Sequence, residues 1–282
     1  MILDSDLIRK SCPDLETVWF ENLGQWREWK QRNPKITNYK SYRERAKEAA
    51  LSRGIDSLWF RHIDKGQVLS DQLAIQGPRW IFERHRMLLD LIAAMPATAK
   101  CKEIRIYAAE ALSPWALQMR GRFPRFLGSE YGPKPEQAKF LYPIPHQDLM
   151  KLSLPDGIFD IAVTQEVLEH VSDLAACLGE LARILRPGGI LLSTFPFLWN
   201  AEKTQTKARL VGDRVEHLAD PEYHLDPLCK EGALVFQLPG WDILELCCSV
   251  GFKRAQFLFY STVSGAVIGQ HLGGLWCLVA ER

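Results

Sequence analysis

Apolar and polar positions sort the middle of this chain into recognisable elements. Phe159 to Val163 is a short, mostly apolar run, the mark of a strand buried on both faces. A polar turn is expected at Thr164–Glu166. Leu174, Leu178, Leu181, Ile184 and Leu185 then recur at helical spacing and predict a helix with one apolar face. Arg186-Pro187-Gly188-Gly189 should stop it, because proline cannot continue a helix and glycine accepts the left-handed turn. Ile190 to Ser193 reads as another buried strand. Strand, helix and strand within about forty residues make a right-handed parallel crossover.

The same pattern extends to either side. Ile81, His85, Leu88, Leu89 and Ile92 form the stripe of a helix opened by Pro78 and ended by Pro96. Glu103–Ala108 and Phe126–Ser129 read as strands. Beyond Ser193, residues 200–240 are a polar insertion. Trp241-Asp242 then opens a helix through Val250, and Phe257–Ser261 with Leu275–Ala280 read as an antiparallel closing pair. Residues 1–65 are expected to stay off the sheet: WFENLGQWREWKQRNP mixes tryptophan with basic groups, and YKSYRERAKEAALSRG looks helical up to Gly54.

At 282 residues and 47% hydrophobic content, the chain fits one α/β domain with a smaller addition. The expected division is an N-terminal helical cap over 1–77 and the main domain over 78–282. A formal net charge of +1 gives no general attraction to nucleic acid or acidic membranes. Seven cysteines without a Cys-x-x-Cys pair argue against a disulfide framework or zinc site; Cys247 and Cys248 are expected to be buried together. Residues 1–30 hold no signal-peptide run and no later run reaches about eighteen apolar residues. The expectation is therefore a cytoplasmic protein with no membrane span. Aromatics interleaved with Lys and Arg can stack on single-stranded bases or on sugar rings. They can equally pack on the main domain while their charged neighbours stay wet, and the acidic residues mixed among them favour this cap.

The stretch HQDLMKLSLPDGIFDIAVTQEVLEHVSDLAACLGELARILRPGGILLSTFPF, with Leu-Glu-His-Val after its first strand, resembles the middle of class I S-adenosylmethionine-dependent methyltransferases. The methyltransferase type 11-like group is the nearest, and the resemblance spans residues 103–197. It implies a Rossmann-like α/β fold: a seven-stranded sheet, mostly parallel with an antiparallel closing strand, beside the N-terminal cap. It also implies methyl transfer from S-adenosyl-L-methionine to oxygen or nitrogen of a small-molecule or sugar/glycan acceptor.

Residue by residue, the family's Gly-x-Gly-x-Gly turn falls on Ala109-Glu110-Ala111-Leu112-Ser113. Small side chains keep much of the room there but not the freedom for positive φ. An alanine forced into that region costs on the order of 1 kcal/mol, so either the turn is reshaped or the cofactor sits differently; Ala109→Gly and Ala111→Gly are expected to be tolerated, one of them tightening cofactor binding. Glu130, followed by Tyr131, stands where an acid takes the ribose hydroxyls. Asp148 and Leu149 match the adenine contacts, and Gln165 completes the cofactor set. Arg84-His85-Arg86 resembles an Arg-x-Arg feature of some relatives; its residues alone suggest a solvated face.

Glu222 to Pro227 resembles a Glu-Tyr-His-Gly-Asp/Asn-Pro signature. It points to His217, Glu222, Tyr223 and Asp226 as acceptor contacts. His224 and His170 are the candidate general bases, although His170 could instead hold a structural hydrogen bond at a helix start. No metal is expected, since His217, Glu222 and His224 fit no ligand spacing. A different class of function, a catalytically silent methyltransferase-like binding or assembly protein, is motivated by the missing glycines. A nicotinamide oxidoreductase would need those glycines more, for its pyrophosphate. The oligomeric state is not written in the sequence.

Overall fold

The computed structural model describes residues 4–69, 74–75, 81–96, 98, 101–132, 135–226 and 228–282. A seven-stranded sheet runs through it. Its strands are β1 (Glu16–Phe20), β2 (Ile106–Ala108), β3 (Phe126–Gly128), β4 (Phe159–Gln165), β5 (Leu185–Thr194), β6 (Arg254–Ser261) and β7 (Leu275–Glu281), in the spatial order β1-β6-β7-β5-β4-β2-β3. The pairs β2–β3, β2–β4 and β4–β5 are parallel, whereas β7 runs antiparallel to both β5 and β6. The chain reverses direction across the sheet between β2 and β4, and ligands of open α/β sheets sit outside the carboxyl ends at such a point.

Residues 1–65 do contribute to the sheet, contrary to expectation. Glu16–Phe20 pairs antiparallel with Phe257–Ser261 and forms its edge. The alternation within ETVWF is too short to stand out between two helices, and pairing partners more than two hundred residues away carry no local signal. Among the described residues no third parallel strand forms before Asp148. A lone parallel bridge, Glu130 to His146, stands in its place, so the seventh strand is the N-terminal one.

Helices cover the sheet: α1 (Leu23–Arg32), α2 (Tyr39–Arg53), α3 (Glu83–Ala93), α4 (Pro114–Arg122), α5 (Leu174–Ile184) and α6 (Ile243–Ser249). The stripe on α5 buries Leu174, Leu178, Leu181 and Ile184, and Asp173 caps its first turn through Ala176 N–H at 2.9 Å. It stops at Ile184, and Arg186–Gly189 already fall within β5, with Gly188 in the left-handed region at φ 76° as expected. The polar turn expected at Thr164–Glu166 begins later, because β4 continues through Gln165. Pro78 lies outside the described residues.

Trp26 is fully buried on α1. It packs edge-on to Trp276 at 4.8 Å and to Trp199 at 5.8 Å. This aromatic is thus spent on the core and offers no exposed face for stacking. Cys247 is buried but Cys248 is exposed on the outer side of α6.

The Arg84–Arg86 cluster is not a solvated face. Arg86 is fully buried and donates to the carbonyls of Ile81 at 3.1 Å, Gly265 at 3.3 Å and Ala266 at 2.6 Å. It ties α3 to the loop between β6 and β7. Asp90, one turn on, accepts from Ser57 Oγ at 2.7 Å and Trp59 N–H at 3.0 Å. Arg86→Ala would leave three buried carbonyls without their donor. It is expected to lower unfolding free energy by about 2–4 kcal/mol, read from the urea midpoint; a shift worth less than about 1 kcal/mol would show that water replaces the guanidinium.

Candidate active site

Five residues after β2 make a compact turn. Ala109 N–H donates to Val163 carbonyl at 3.0 Å, and Ser113 Oγ accepts Ala116 N–H at 3.0 Å to cap α4. Glu130 Oε1 accepts the N–H of Ala111 at 2.8 Å and of Leu112 at 3.0 Å, so the carboxylate shapes the turn from the neighbouring strand end. The non-glycine residues with positive φ are, among the described residues, Arg61, Glu166 and Ala266. Ala109 and Ala111 therefore carry no strain, the turn is reshaped, and a restored glycine has nothing to relieve. Room for the close approach comes instead from Gly128 on β3, where a Cβ would stand 2.5 Å from the Glu110 carbonyl oxygen and 3.0 Å from Ala111 Cα. The glycine has moved to the adjacent strand.

The Glu110 side chain reaches across to Gln165 Nε2, bridging the ends of β2 and β4. Burial pushes its carboxyl up to about 7, against the Ser113 hydrogen bond and the Arg84 charge. Burial also raises Glu130, opposed by its two backbone bonds, and the nearby Asp226 charge adds to the rise. On the far side Tyr131 is half exposed and stacks on His146 at 5.5 Å. Asp148 Oδ1 accepts Met150 N–H at 2.9 Å, and Leu149 is buried beside it. Glu130, Tyr131, Asp148 and Leu149 thus come together along one rim, with the turn and Gln165 beside them.

A second group of side chains gathers past β4. Glu169 is 0% exposed, and neither carboxylate oxygen has a hydrogen-bond partner among the described residues. His170 Nε2 lies 3.6 Å from Glu169 Oε1, and His224 Nδ1 lies 3.5 Å from the same oxygen. The outer nitrogens are engaged elsewhere: His170 Nδ1 with Leu234 carbonyl at 2.9 Å, His224 Nε2 with Glu222 Oε1 at 3.2 Å, and Glu222 in turn with Lys207. Burial, then the Glu166 charge, pushes Glu169 up to about 8.

His224 reaches this place on a hairpin, Tyr223–Asp226 paired with Cys229–Leu234 and bulged between His224 and Asp226. Gly232 permits it at φ 82°, where a Cβ would meet His224 carbonyl oxygen at 2.4 Å. Phe236 N–H donates to Glu169 carbonyl at 2.8 Å, fastening the hairpin's exit to the turn after β4.

Beside these groups a cavity of about 370 Å³ opens at the ends of β4 and β5. Phe195, Phe197, Trp199 and Trp276 wall it with aromatic surface, and Arg84, Glu166, Thr194, Gln270 and His271 are its polar lining. Arg84 Nε, Thr194 Oγ1 and Trp276 Nε1 are buried there without hydrogen-bond partners among the described residues, as is Gln165 Oε1 nearby. Glu166 holds a left-handed backbone at φ 52°, a strain that persists where the surroundings enforce it.

The expected acceptor residues do not line this cavity. His217 is exposed on a separate hairpin, 208–217; Tyr223 is half exposed; Asp226 Oδ1 accepts Leu228 N–H at 2.7 Å. Pro227 lies outside the described residues. Only Glu222 joins the buried group, through His224. The aromatic run Phe195-Pro196-Phe197-Leu198-Trp199 after an apolar strand was a usable signal for the cavity. Trp276 and His271 had none, since the start of β7 and the loop before it arrive there only through the fold.

Comparison with known proteins is consistent with this arrangement. A methyltransferase domain family model matches residues 129–193, from the end of β3 to β5. A Mycolicibacterium smegmatis protein described as a probable S-adenosylmethionine-dependent methyltransferase is 43% identical over 53 residues, 19% of this chain and 21% of its own. The 2-methyl-6-phytyl-1,4-hydroquinone methyltransferase of a Synechocystis species is 41% identical over 64 residues, 23% of this chain and 19% of its own. The chain thus spans about a fifth of the length of these curated relatives. A solved S-adenosylmethionine-dependent methyltransferase from Mesorhizobium loti aligns over 66% of this chain and 96% of that one, at 16% identity and a TM-score of 0.40. Residues 129–193, set in the parallel part of the sheet, thus carry a segment similar to the methyltransferase domain family.

Proposed function

We propose that the chain transfers a methyl group from S-adenosylmethionine to an oxygen or nitrogen of a small-molecule acceptor, and that the acceptor is a sugar or glycan. The observation carrying this is the pairing of an acid-rimmed turn after β2 with an aromatic cavity at the end of β4. Arg84 Nε and Thr194 Oγ1 at the cavity, and Gln165 Oε1 beside the turn, are buried without hydrogen-bond partners among the described residues and suit a polar ligand. Glu130 and Tyr131 would hold the ribose, Asp148 and Leu149 the adenine, and Glu110, Ser113 and Gln165 with the Ala109–Ala111 backbone the amino-acid end. When bound, the cofactor supplies a methyl on a sulfonium that needs alignment more than activation.

Phe195, Phe197, Trp199 and Trp276 suit the apolar face of a sugar ring, with Glu166 and Gln270 for its hydroxyls. Removal of the acceptor proton falls to the group of His224, His170 and Glu169. Glu222, Tyr223 and Asp226 act from the hairpin above, and His217 would touch only a larger acceptor. Isotopically labelled methyl donor offered to a panel of sugars and small alcohols tests the activity, with the product read by mass. Calorimetry with S-adenosylhomocysteine separates an inactive binder from an enzyme whose acceptor was absent from the panel. No helix among the described residues is long and apolar enough to cross a membrane.

Glu110 adds a pH dependence. Its carboxyl, raised to about 7 by burial, is neutral below that pH and ionised above it. An ionised Glu110 attracts the cofactor's ammonium group. S-adenosylhomocysteine affinity is therefore expected to rise as pH increases through about 7, and Glu110→Gln should flatten that profile. Parallel profiles for the two proteins in calorimetry would remove Glu110 from the cofactor set.

A further inference from the structure

We propose that Glu169, His170 and His224 bind one divalent transition-metal ion, next to the acceptor cavity. One ligand atom from each lies within 4.8 Å of the others. The inward nitrogens are His170 Nε2 and His224 Nδ1, and both face Glu169. Their outer nitrogens meet acceptors, the Leu234 carbonyl at 2.9 Å and Glu222 Oε1 at 3.2 Å. An acceptor opposite a ring nitrogen keeps the proton on that nitrogen, so each histidine turns a lone pair, not an N–H, toward the carboxylate.

Lone pairs facing a carboxylate cannot form hydrogen bonds with it. The separations of 3.5 and 3.6 Å agree, since such bonds run to about 3.2 Å. Glu169 is left fully buried with both oxygens unpartnered, a costly state for a polar group. A cation at the centre would satisfy all three at once. Ligands about 2.1 Å from a tetrahedral ion stand roughly 3.4 Å apart, close to the two histidine–Glu169 separations of 3.6 and 3.5 Å.

Two imidazoles and one carboxylate favour zinc, manganese, iron or cobalt over magnesium or calcium, which prefer oxygen throughout. The support beyond the ligands also fits. A backbone carbonyl orients His170, while Glu222 orients His224 and is itself held by Lys207. Three protein ligands leave positions open for an acceptor oxygen. A metal there would lower the pKa of that hydroxyl, so the histidines would act through the ion rather than as free bases. That catalytic consequence rests on the methyl-transfer proposal; the binding site does not.

The full chain, stripped with chelator, would be titrated with Co²⁺ while its visible d–d absorption is recorded, then challenged with Zn²⁺. One Co²⁺ per chain is expected, displaced by Zn²⁺. His224→Ala and Glu169→Gln should each weaken it at least about tenfold, while His217→Ala, on the separate hairpin, leaves it unchanged. S-adenosylhomocysteine affinity, measured in parallel, should be the same in all. Should Glu169→Gln fail to fold, His224→Ala decides, because its hairpin lies outside the sheet. Absence of a Co²⁺ band in the wild-type chain, or a band untouched by His224→Ala, overturns the metal site. Cobalt binding without S-adenosylhomocysteine binding would leave the site standing and remove the cofactor proposal alone.

Discussion

Replacing His224 by alanine is expected to lower methyl transfer by about 10²–10⁴-fold while S-adenosylhomocysteine affinity stays within about threefold. His224 Nδ1 faces the buried Glu169 carboxylate at 3.5 Å, and its Nε2 is held by Glu222 at 3.2 Å. The side chain is oriented from both ends but takes no part in the β2 turn. Its loss removes a group proposed to deprotonate the acceptor, whether as a free base or as a metal ligand. Melting temperature should change little, because the imidazole is part exposed on a hairpin. A mutant that loses several degrees of stability yet keeps its turnover per folded molecule would make this histidine structural and withdraw it from the chemistry.

Glu130→Ala is expected to weaken S-adenosylhomocysteine binding by about 2–3 kcal/mol, roughly 30- to 150-fold. Two losses combine. One is the carboxylate proposed for the ribose hydroxyls. The other is the acceptor that takes Ala111 and Leu112 N–H at 2.8 and 3.0 Å and so shapes the turn. Glu130→Gln separates them, since an amide oxygen can still accept from the turn but carries no charge. An intermediate loss, about 1 kcal/mol, is the expected result for the amide. Calorimetry that finds alanine, glutamine and wild type alike would place the cofactor elsewhere.

The two experiments probe opposite ends of one site, and the hairpin carrying His224 touches both. Its Asp226 charge reaches Glu130 and His170, and Leu228 carbonyl accepts Gln137 Nε2 at 3.2 Å beyond β3. The insertion therefore lies against the Glu130 rim as well as the Glu169 group.

Much of the fold was legible because it rests on local periodicity. The stripe Leu174–Leu178–Leu181, the breaker at Pro187-Gly188 and the apolar runs on either side dictate strand, helix and strand without reference to anything distant. The two acids proposed for the cofactor were legible as candidates, Glu130 just after β3, but Asp148 is brought near it by the Glu130–His146 bridge and not by a strand end. Tertiary structure alone decided the remainder. Glu16–Phe20 becomes a sheet edge only because β6 offers unpaired backbone groups to it. Arg86 is buried only because three carbonyls, two of them some 180 residues away, converge on it. Gly128 serves the β2 turn across a strand pair, where chain spacing gives no hint. Glu169 read as one more polar residue after a strand, and His224 as one of several histidines in a polar insertion. A hairpin bulge and a glycine at positive φ bring them to 3.5 Å, and contacts of that kind depend on how separate elements pack rather than on any pattern along the chain.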